Sequence, residues 1–274
     1  MKSKSDIANC IPWMRRAIQL ASLAEGQTSP NPLVGAVILD SYERIVGEGF
    51  HSSAGKSHAE IEALKQAGPF AKGGTLFVNL EPCCHHGRTP PCTEAILKSG
   101  LSRVVVAAKD PDERVSGKGI EVLKKAGLEV IEGVLEEEAN FLNRAFIFRN
   151  RTGRPWGVLK WAMSLDGRIA LPNGQSKWIT EKASRRKVHS LRSKYDAVIV
   201  GGETVRLDNP LLTSRGAAKV EPLRVVLTSS LDLPTNAQLW DVKKAKTLVC
   251  YGPESDLDRL GKLPDGPEKI CLEK

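Results

Sequence analysis

Apolar and polar residues are patterned along the first half of the chain so that predicted helices and strands follow one another. In chain order, the pattern predicts a helix over 11–24, a hairpin of strands over 33–39 and 44–49, a helix from His58, a strand over 75–80, a helix near Cys92, a strand over 103–108, a helix over 118–126, a strand over 128–131 and a helix over 136–148. Because strands that alternate with helices form a largely parallel sheet covered on both faces, we expect an α/β domain.

A polar and basic segment, residues 149–155, interrupts this pattern and contains Gly153 and Pro155. It predicts a domain boundary, with one domain over 1–150 and a second over 151–274. In the second domain the pattern predicts strands over 156–163, 197–200 and 223–227, the middle one buried, and a helix over 181–192. On spacing alone, this second α/β domain fits a nucleotide-binding domain and a regulatory domain equally well.

The composition of the 274 residues allows a substantial core, since 41% of them are hydrophobic. The net charge is +8, but the Lys and Arg residues are dispersed among acidic residues rather than gathered in a block. Aromatic residues make up only 5% of the chain and offer few platforms on which unpaired bases could stack. These features favour an anionic small molecule over a nucleic acid as the partner.

No apolar run approaches the length of a membrane span, and the N-terminal residues lack the hydrophobic segment of a secretory signal. We therefore expect a cytoplasmic protein without a membrane partner. The six cysteines are too few and too unevenly spaced for a disulfide framework, so reduced thiols are expected. Three of them, Cys10, Cys250 and Cys271, receive no role.

Four residues, His58, Glu60, Cys83 and Cys92, supply the parts of a hydrolytic zinc site. Zinc takes nitrogen and sulfur ligands in a tetrahedron, and a catalytic ion keeps three protein ligands so that water can occupy the fourth position. Glu60 follows the histidine by two residues and points to another side of a helix, where it can carry a proton from water to a departing amine. The set predicts hydrolytic deamination.

The neighbouring residues favour this arrangement. Ser57 is suited to cap a helix that begins at His58, and Gly68-Pro69 is suited to end that helix. Pro90-Pro91 places Cys92 near the start of the next helix, where backbone amides favour the thiolate form.

Other interpretations of the same residues remain open. Any one of the four, taken alone, fits inert packing or a surface position about as well, whereas all four in this order do so rarely. Cys84 adjoins Cys83 and is expected to be a small loop residue. In a non-enzymatic alternative, the chain is a scaffold whose structural zinc takes Cys84 or His86 as its fourth ligand.

The order His-Ala-Glu and then Pro-Cys resembles the cytidine and deoxycytidylate deaminase superfamily. Nucleic-acid-directed members close the site with Pro-Cys-x-x-Cys, whereas eight residues separate Cys83 from Cys92 here. The stretch over 80–92 instead resembles the bifunctional riboflavin-biosynthesis deaminase/reductase family, in which serine is more usual than Cys84. The alternative activity is deamination of tRNA or of a single-stranded nucleic acid.

That resemblance implies a three-layer, cytidine-deaminase-like domain. It also implies zinc-dependent deamination of a pyrimidine ribotide, 2,5-diamino-6-ribosylamino-4(3H)-pyrimidinone 5′-phosphate. The family positions that hold the pyrimidine and its ribose phosphate match Asn31, His51, His85 and Arg88. Their chemistry is suitable, because an amide offers both a donor and an acceptor to a pyrimidine edge and a guanidinium binds phosphate oxygens.

Three stretches of the second domain, over 160–168, 176–180 and 200–212, resemble the reductase half of the same family, which is related to dihydrofolate reductase. The resemblance implies NADPH as the cofactor, which supplies the hydride chemistry while the protein places it. The implied cofactor contacts are Met163, Trp178, Thr204, Asp208 and Ser229, and the implied contacts to the ribosylamino-uracil phosphate are Lys160, Ser176, Arg192, Leu212 and Arg215.

The family's reductase half normally continues past the position of Lys274, with a Glu and a glycine-rich cofactor loop, and it commonly has Asp where Thr228 stands. The resemblance therefore implies a competent deaminase and a shortened reductase domain that is impaired or inactive. The family's reductase-to-reductase interface makes a homo-oligomer a candidate assembly. It also implies exposed strand edges in a shortened domain.

Overall fold

The computed structural model of the chain describes residues 4–86, 90–113 and 115–273. The chain forms two compact units, Met1–Val158 and Leu159–Lys274. The extent of the two domains, 1–150 and 151–274, stays a prediction from the sequence.

The first unit is built on a five-stranded sheet with the order β2-β1-β3-β4-β5. Its strands are β1 (Gly35–Leu39), β2 (Ile45–Phe50), β3 (Thr75–Leu80), β4 (Arg103–Ala108) and β5 (Glu129–Glu132). β1 is antiparallel to both β2 and β3, whereas β3, β4 and β5 are parallel to one another. The predicted hairpin and the parallel part of the sheet are thus confirmed.

Helices cover both faces of this sheet. They are α1 (Lys4–Ser22), α2 (Ala59–Ala67), α3 (Cys92–Lys98), α4 (Lys118–Lys125), α5 (Glu136–Leu142) and α6 (Arg144–Thr152), and a short 3₁₀ helix, Gly68–Ala71, follows α2. Because side chains alternate along a strand, Val37 and Phe77 belong to one core with α1 and α5, and Ile38 and Val78 to another with α2, α3 and α4. The result is the expected three-layer α/β arrangement.

Two glycines of β2 allow α2 to lie directly on the sheet. A Cβ atom at Gly47 would lie 2.2 Å from the carbonyl oxygen of Ala63, and one at Gly49 would lie 2.4 Å from that of Ala59. Any larger residue at either position would therefore push the helix away. Since Ala59 stands between His58 and Glu60, this close packing sets the height of both side chains above the sheet.

The helix predicted over 136–148 is divided into α5 and α6 at Asn143. The side chain of Asn143 is buried and bonds the backbone of Leu33 twice, accepting from its N–H at 2.8 Å and donating to its carbonyl at 2.9 Å. Asn79 adds a bond to the same carbonyl at 3.0 Å. These bonds hold the loop before β1, which contains Asn31.

The second unit contains a parallel four-stranded sheet with the order β6-β7-β8-β9. Its elements are β6 (Ala197–Gly201), β7 (Leu223–Thr228), β8 (Thr247–Tyr251), β9 (Glu268–Cys271), α7 (Lys182–Arg192), α8 (Gly202–Asp208) and α9 (Leu257–Leu260), with a 3₁₀ helix at Gln238–Trp240. Val205, Val226, Leu239 and Val249 lie in its core.

Two predictions for this unit are wrong. Residues 156–163 form no strand, because no described segment pairs with their backbone. The strand predicted as buried over 197–200 corresponds to β6. Within the described part of the chain β6 is an edge strand that pairs only with β7, and its Ile199 is 61% exposed. Among the described helices, none has the length and apolar character needed to cross a membrane.

Candidate active sites

Three elements of the first unit bring His58, Cys83 and Cys92 together. His58 has extended backbone, with φ −71° and ψ 158°, and is itself the N-cap of α2, so Ser57 is not the cap. Cys83 lies just beyond the end of β3, and Cys92 is the first residue of α3. The expectation that Gly68 ends α2 is confirmed, since Gly68 is its C-cap.

The ligand atoms of the three residues lie within 4.8 Å of one another. Nδ1 of His58 is 3.2 Å from Sγ of Cys92 and 3.6 Å from Sγ of Cys83. Nitrogen and sulfur atoms that share a tetrahedral zinc ion lie roughly 3.6 Å apart, as the Zn–N and Zn–S bond lengths require. One imidazole and two thiols at these separations therefore fit a zinc ion.

The two cysteines shift each other's pKa in opposite directions. A hydrogen bond between the thiols holds the pKa of Cys83 well below its usual range and raises that of Cys92, and burial acts against the first shift and with the second. The backbone N–H of Cys92 also donates to Sγ of Cys83 at 3.3 Å. The lowered pKa therefore favours the thiolate form of Cys83, which is the form that binds metal.

Glu60 lies beside this cluster and is only 3% exposed. Burial raises the pKa of its carboxyl group, and Cys92 is among its hydrogen-bond partners. A buried carboxyl group next to three ligands but outside the ligand set is suited to carry a proton.

The structure joins two of the residues predicted to contact the pyrimidine, Asn31 and His51. Nδ1 of His51 lies 3.0 Å from the carbonyl oxygen of Ser57, and Nε2 lies 3.1 Å from Nδ2 of Asn31. With Nδ1–H donating to Ser57, Nε2 accepts from the amide of Asn31. Burial lowers the pKa of His51, which favours this neutral ring.

The structure gives less information on the other two predicted contacts, His85 and Arg88. The Nδ1 atom of His85 is buried and has no hydrogen-bond partner among the described residues, so it is free to bind a ligand. Arg88 lies outside the described residues.

The described residues do not support a fourth protein ligand. Within them, the group that could hold a metal consists of His58, Cys83 and Cys92 without Cys84 or His86. The side chain of His86 is 74% exposed and pairs with Glu94 at 3.4 Å. Three ligands leave one position of a tetrahedron open, as a catalytic ion requires.

The second unit contains a cavity of about 920 Å³. Eight of the ten residues predicted for the reductase line it, namely Lys160, Ser176, Trp178, Arg192, Thr204, Asp208, Leu212 and Arg215. The other two, Met163 and Ser229, are exposed and do not belong to its lining. Sulfur of Met163 accepts a hydrogen bond from the indole of Trp161, a lining residue, at 3.3 Å.

Positive charge dominates the lining of this cavity. Arg192 donates to the carbonyl of Thr213 at 3.2 Å, and burial together with the charge of Arg215 lowers its pKa. The guanidinium of Arg185 lies 4.2 Å from the ring centroid of Trp178. Such a lining suits anionic ligands with flat rings.

The loop that carries Leu212 and Arg215 has strained backbone, since both residues have positive φ, 58° and 56°. The buried Arg224 and the half-buried Glu221 hold it in place. Arg224 donates to the carbonyl of Leu211 at 3.4 Å, and Glu221 accepts from the N–H of Ser214 at 2.6 Å. Strain held by surrounding structure is typical of ligand-binding loops. Neither Arg224 nor Glu221 was predicted from the sequence, because no periodic pattern marks a single charged residue in an apolar strand or loop as a support.

Two family models match the chain. The cytidine and deoxycytidylate deaminase zinc-binding region matches residues 9–108, and the RibD C-terminal domain matches residues 155–271.

Curated relatives match over nearly the whole chain. The riboflavin biosynthesis protein RibD of Synechocystis sp. is 56% identical over 260 residues, which cover 95% of this chain and 69% of that protein. The protein of the same name from Aquifex aeolicus is 49% identical over 245 residues. These cover 89% of this chain and 68% of that protein.

Solved structures agree with these matches. The Thermotoga maritima diaminohydroxyphosphoribosylaminopyrimidine deaminase/5-amino-6-(5-phosphoribosylamino)uracil reductase superposes with a TM-score of 0.88 at 42% identity, covering 97% of this chain and 74% of that chain. RibD of Acinetobacter baumannii superposes with a TM-score of 0.85 at 40% identity, covering 98% and 75%.

Proposed function

The chain belongs to the RibD family of riboflavin-biosynthesis deaminase/reductases, and from this premise we propose which substrates and residues carry its two activities. The first unit deaminates 2,5-diamino-6-ribosylamino-4(3H)-pyrimidinone 5′-phosphate, and the second reduces the ribose side chain of the product with NADPH. The observation that carries the proposal is the cluster of His58, Cys83 and Cys92 beside the buried Glu60.

In the deaminase half, His58, Cys83 and Cys92 would hold zinc. When bound, zinc would supply a water molecule of lowered pKa as the nucleophile. Glu60, next to these ligands and outside the ligand set, would accept a proton and pass it to the departing amine. Its burial excludes bulk water, which would otherwise compete for the proton.

The pyrimidine is placed by Asn31 and His51. His51 is anchored through Ser57 and receives the amide N–H of Asn31, so the amide oxygen of Asn31 can turn to a donor on the ring. His85 and Arg88 are assigned to the ribose phosphate. A guanidinium and an imidazole three residues apart in the sequence suit a phosphate group.

In the reductase half, the proposed cofactor contacts are Trp178, Thr204 and Asp208, which line the cavity, and Met163 and Ser229, which are exposed and outside its lining. The substrate contacts are Lys160, Ser176, Arg192, Leu212 and Arg215. NADPH supplies the hydride, and the cationic lining neutralises the phosphates of both ligands. That this chain forms a homo-oligomer stays a proposal. Sedimentation, which measures the mass of the assembly, tests it.

The nucleic-acid deaminase alternative is not favoured, since the relatives from Synechocystis sp. and Aquifex aeolicus are RibD proteins. The test of the proposal is to incubate the purified protein with the diaminopyrimidine ribotide and follow ammonia release with and without a chelator. Chelator-sensitive release supports the deaminase assignment, and release that a chelator leaves unchanged removes zinc from it. NADPH oxidation with the deaminated product tests the second activity separately.

A further inference from the structure

Glu81 links three parts of the first unit next to the metal cluster. It follows β3 directly, two residues before Cys83, and is only 3% exposed. Its Oε2 atom accepts the backbone N–H of Asp110 at 3.2 Å and that of Gly117 at 2.9 Å. Its Oε1 atom accepts the N–H of Ile120 at 3.1 Å. One carboxylate thus bonds both ends of the loop between β4 and α4 and the first turn of α4.

The helix α4 begins without a cap of its own. Its N-cap, Gly117, has no side chain and has left-handed backbone with φ 81°. The amide groups in the first turn of a helix have no partner inside the helix and need acceptors from elsewhere. Glu81 supplies these acceptors from another element, and its negative charge is favourable at a helix N-terminus.

The first turn of α4 also lies directly against the segment that leads to Cys83. A Cβ atom at Gly119 would lie 2.2 Å from the carbonyl oxygen of Pro82. The backbone N–H of Glu81 donates to Ala108 at 2.9 Å, at the end of β4. Because these contacts leave no space between the two segments, a shift of the loop or of α4 displaces the backbone that carries Cys83.

We propose that Glu81 is a positioning residue of the deaminase site. Its carboxylate holds Asp110, Gly117 and the start of α4, which lies against Pro82, and in this way it fixes the point from which Cys83 presents its sulfur atom to the metal. The inference rests on the proposed zinc site and not on the identity of the substrate.

The substitution Glu81→Gln tests it, with Co²⁺ as the probe for the metal site. A glutamine amide has one acceptor oxygen and one donor nitrogen, so at least one N–H among those of Asp110, Gly117 and Ile120 would face a donor. We expect the variant to bind Co²⁺ about 10-fold or more weakly, as for other residues that support metal ligands. We also expect shifted visible absorption bands of the Co²⁺-thiolate site, a readout that needs no turnover.

Asp40→Asn is the matched control. Asp40 is also buried, at 7% exposure, and accepts the N–H groups of Tyr42 at 2.9 Å and Arg44 at 3.0 Å. It lies at the opposite end of the sheet, since Leu39 pairs with Thr75 at the start of β3. We expect this variant to lose thermal stability and keep the Co²⁺ affinity and spectrum of the wild type. Wild-type Co²⁺ binding by Glu81→Gln, or equal loss in both variants, would overturn the proposal.

A second measurement uses the wild-type protein, so that it stands even where Glu81→Gln does not fold. Coupling between two sites is reciprocal, so removal of the metal must loosen the bonds that Glu81 makes. We expect the amide hydrogens of Asp110, Gly117 and Ile120 to exchange faster in the chelated protein than in the zinc-loaded protein, as NMR would show. Equal exchange rates would contradict the proposal. Wild-type ammonia release reports on the proposed function separately.

Discussion

The imidazole of His51 meets the imidazole of His58 edge to face, with the ring centroids 5.6 Å apart and the ring planes at 78°. His58 points its Nδ1 atom at the two cysteines, and His51 is bonded to Asn31 and Ser57. This contact joins the residues assigned to the pyrimidine with the residues assigned to zinc. Under the proposed assignments, substrate binding and the chemistry at the metal would depend on one packed group of side chains.

Asn31→Ala removes the donor that faces Nε2 of His51 and the amide assigned to the pyrimidine. We expect the KM for the ribotide to rise by about 5- to 100-fold, because His51 and the pyrimidine would each lose a hydrogen-bond partner. Zinc content, measured by elemental analysis, stays that of the wild type. Asn150→Ala, on the exposed side of α6, is the matched control and leaves KM unchanged. An unchanged KM in Asn31→Ala would remove the residue from the site.

Glu60→Gln keeps the shape of the side chain and removes its capacity to carry a proton. We expect ammonia release to fall by at least about 100-fold, the usual contribution of a positioned acid or base. Bound zinc stays at the wild-type amount, since Glu60 lies outside the ligand set. Glu62→Gln on the same helix removes a surface carboxylate that pairs with Lys65 at 2.9 Å, and it leaves the rate unchanged. Normal turnover by Glu60→Gln would refute its role.

Arg192→Ala removes a half-buried guanidinium from the cavity of the second unit. For NADPH-dependent reduction, we expect the KM of the phosphorylated substrate to rise by about 10- to 100-fold, the range for a lost charge-assisted hydrogen bond. NADPH absorbance follows the reaction. Arg168→Ala, an exposed residue of the same unit that does not line the cavity, is the control. A KM within twofold of wild type would contradict the assignment of Arg192.

Gly49→Ala places a Cβ atom 2.4 Å from the carbonyl oxygen of Ala59. Since backbone cannot yield as a flexible side chain does, we expect the free energy of unfolding to fall by about 1–3 kcal/mol. Urea denaturation measures it. Gly157→Ala is the control, because a Cβ atom there meets no atom within 4 Å. A loss no larger than that of the control would show that α2 can move away from β2 freely.

The sequence predicted the first unit well because its elements are strongly patterned. The strands over 75–80 and 103–108 have the bounds of β3 and β4, and both are mostly apolar and, after their first residue, buried. The division at Asn143 could not be predicted, since it depends on bonds to Leu33, which is distant in sequence. The segment over 156–163 has a strand-like pattern, but pattern alone does not supply a partner strand.

The sequence also indicated which residues would gather at the metal cluster, because their order and spacing matched a known chemistry. The role of Glu81 was not predicted, because its position in the sequence matches no known pattern. Its three partners come from residues 110–120, and a carboxylate beside Cys83 has no pattern that distinguishes a buried acceptor from a solvated charge. Such supporting contacts become visible only when the loops are placed in three dimensions.

We propose that one imidazole and two thiolates hold a zinc ion that keeps a position for water. X-ray absorption spectroscopy of the zinc-loaded protein tests it most directly. We expect one zinc ion per chain with two sulfur neighbours at about 2.3 Å and two lighter neighbours at about 2.0–2.1 Å, one of which is exchangeable. A shell with three or four sulfur atoms, or with none, would contradict it.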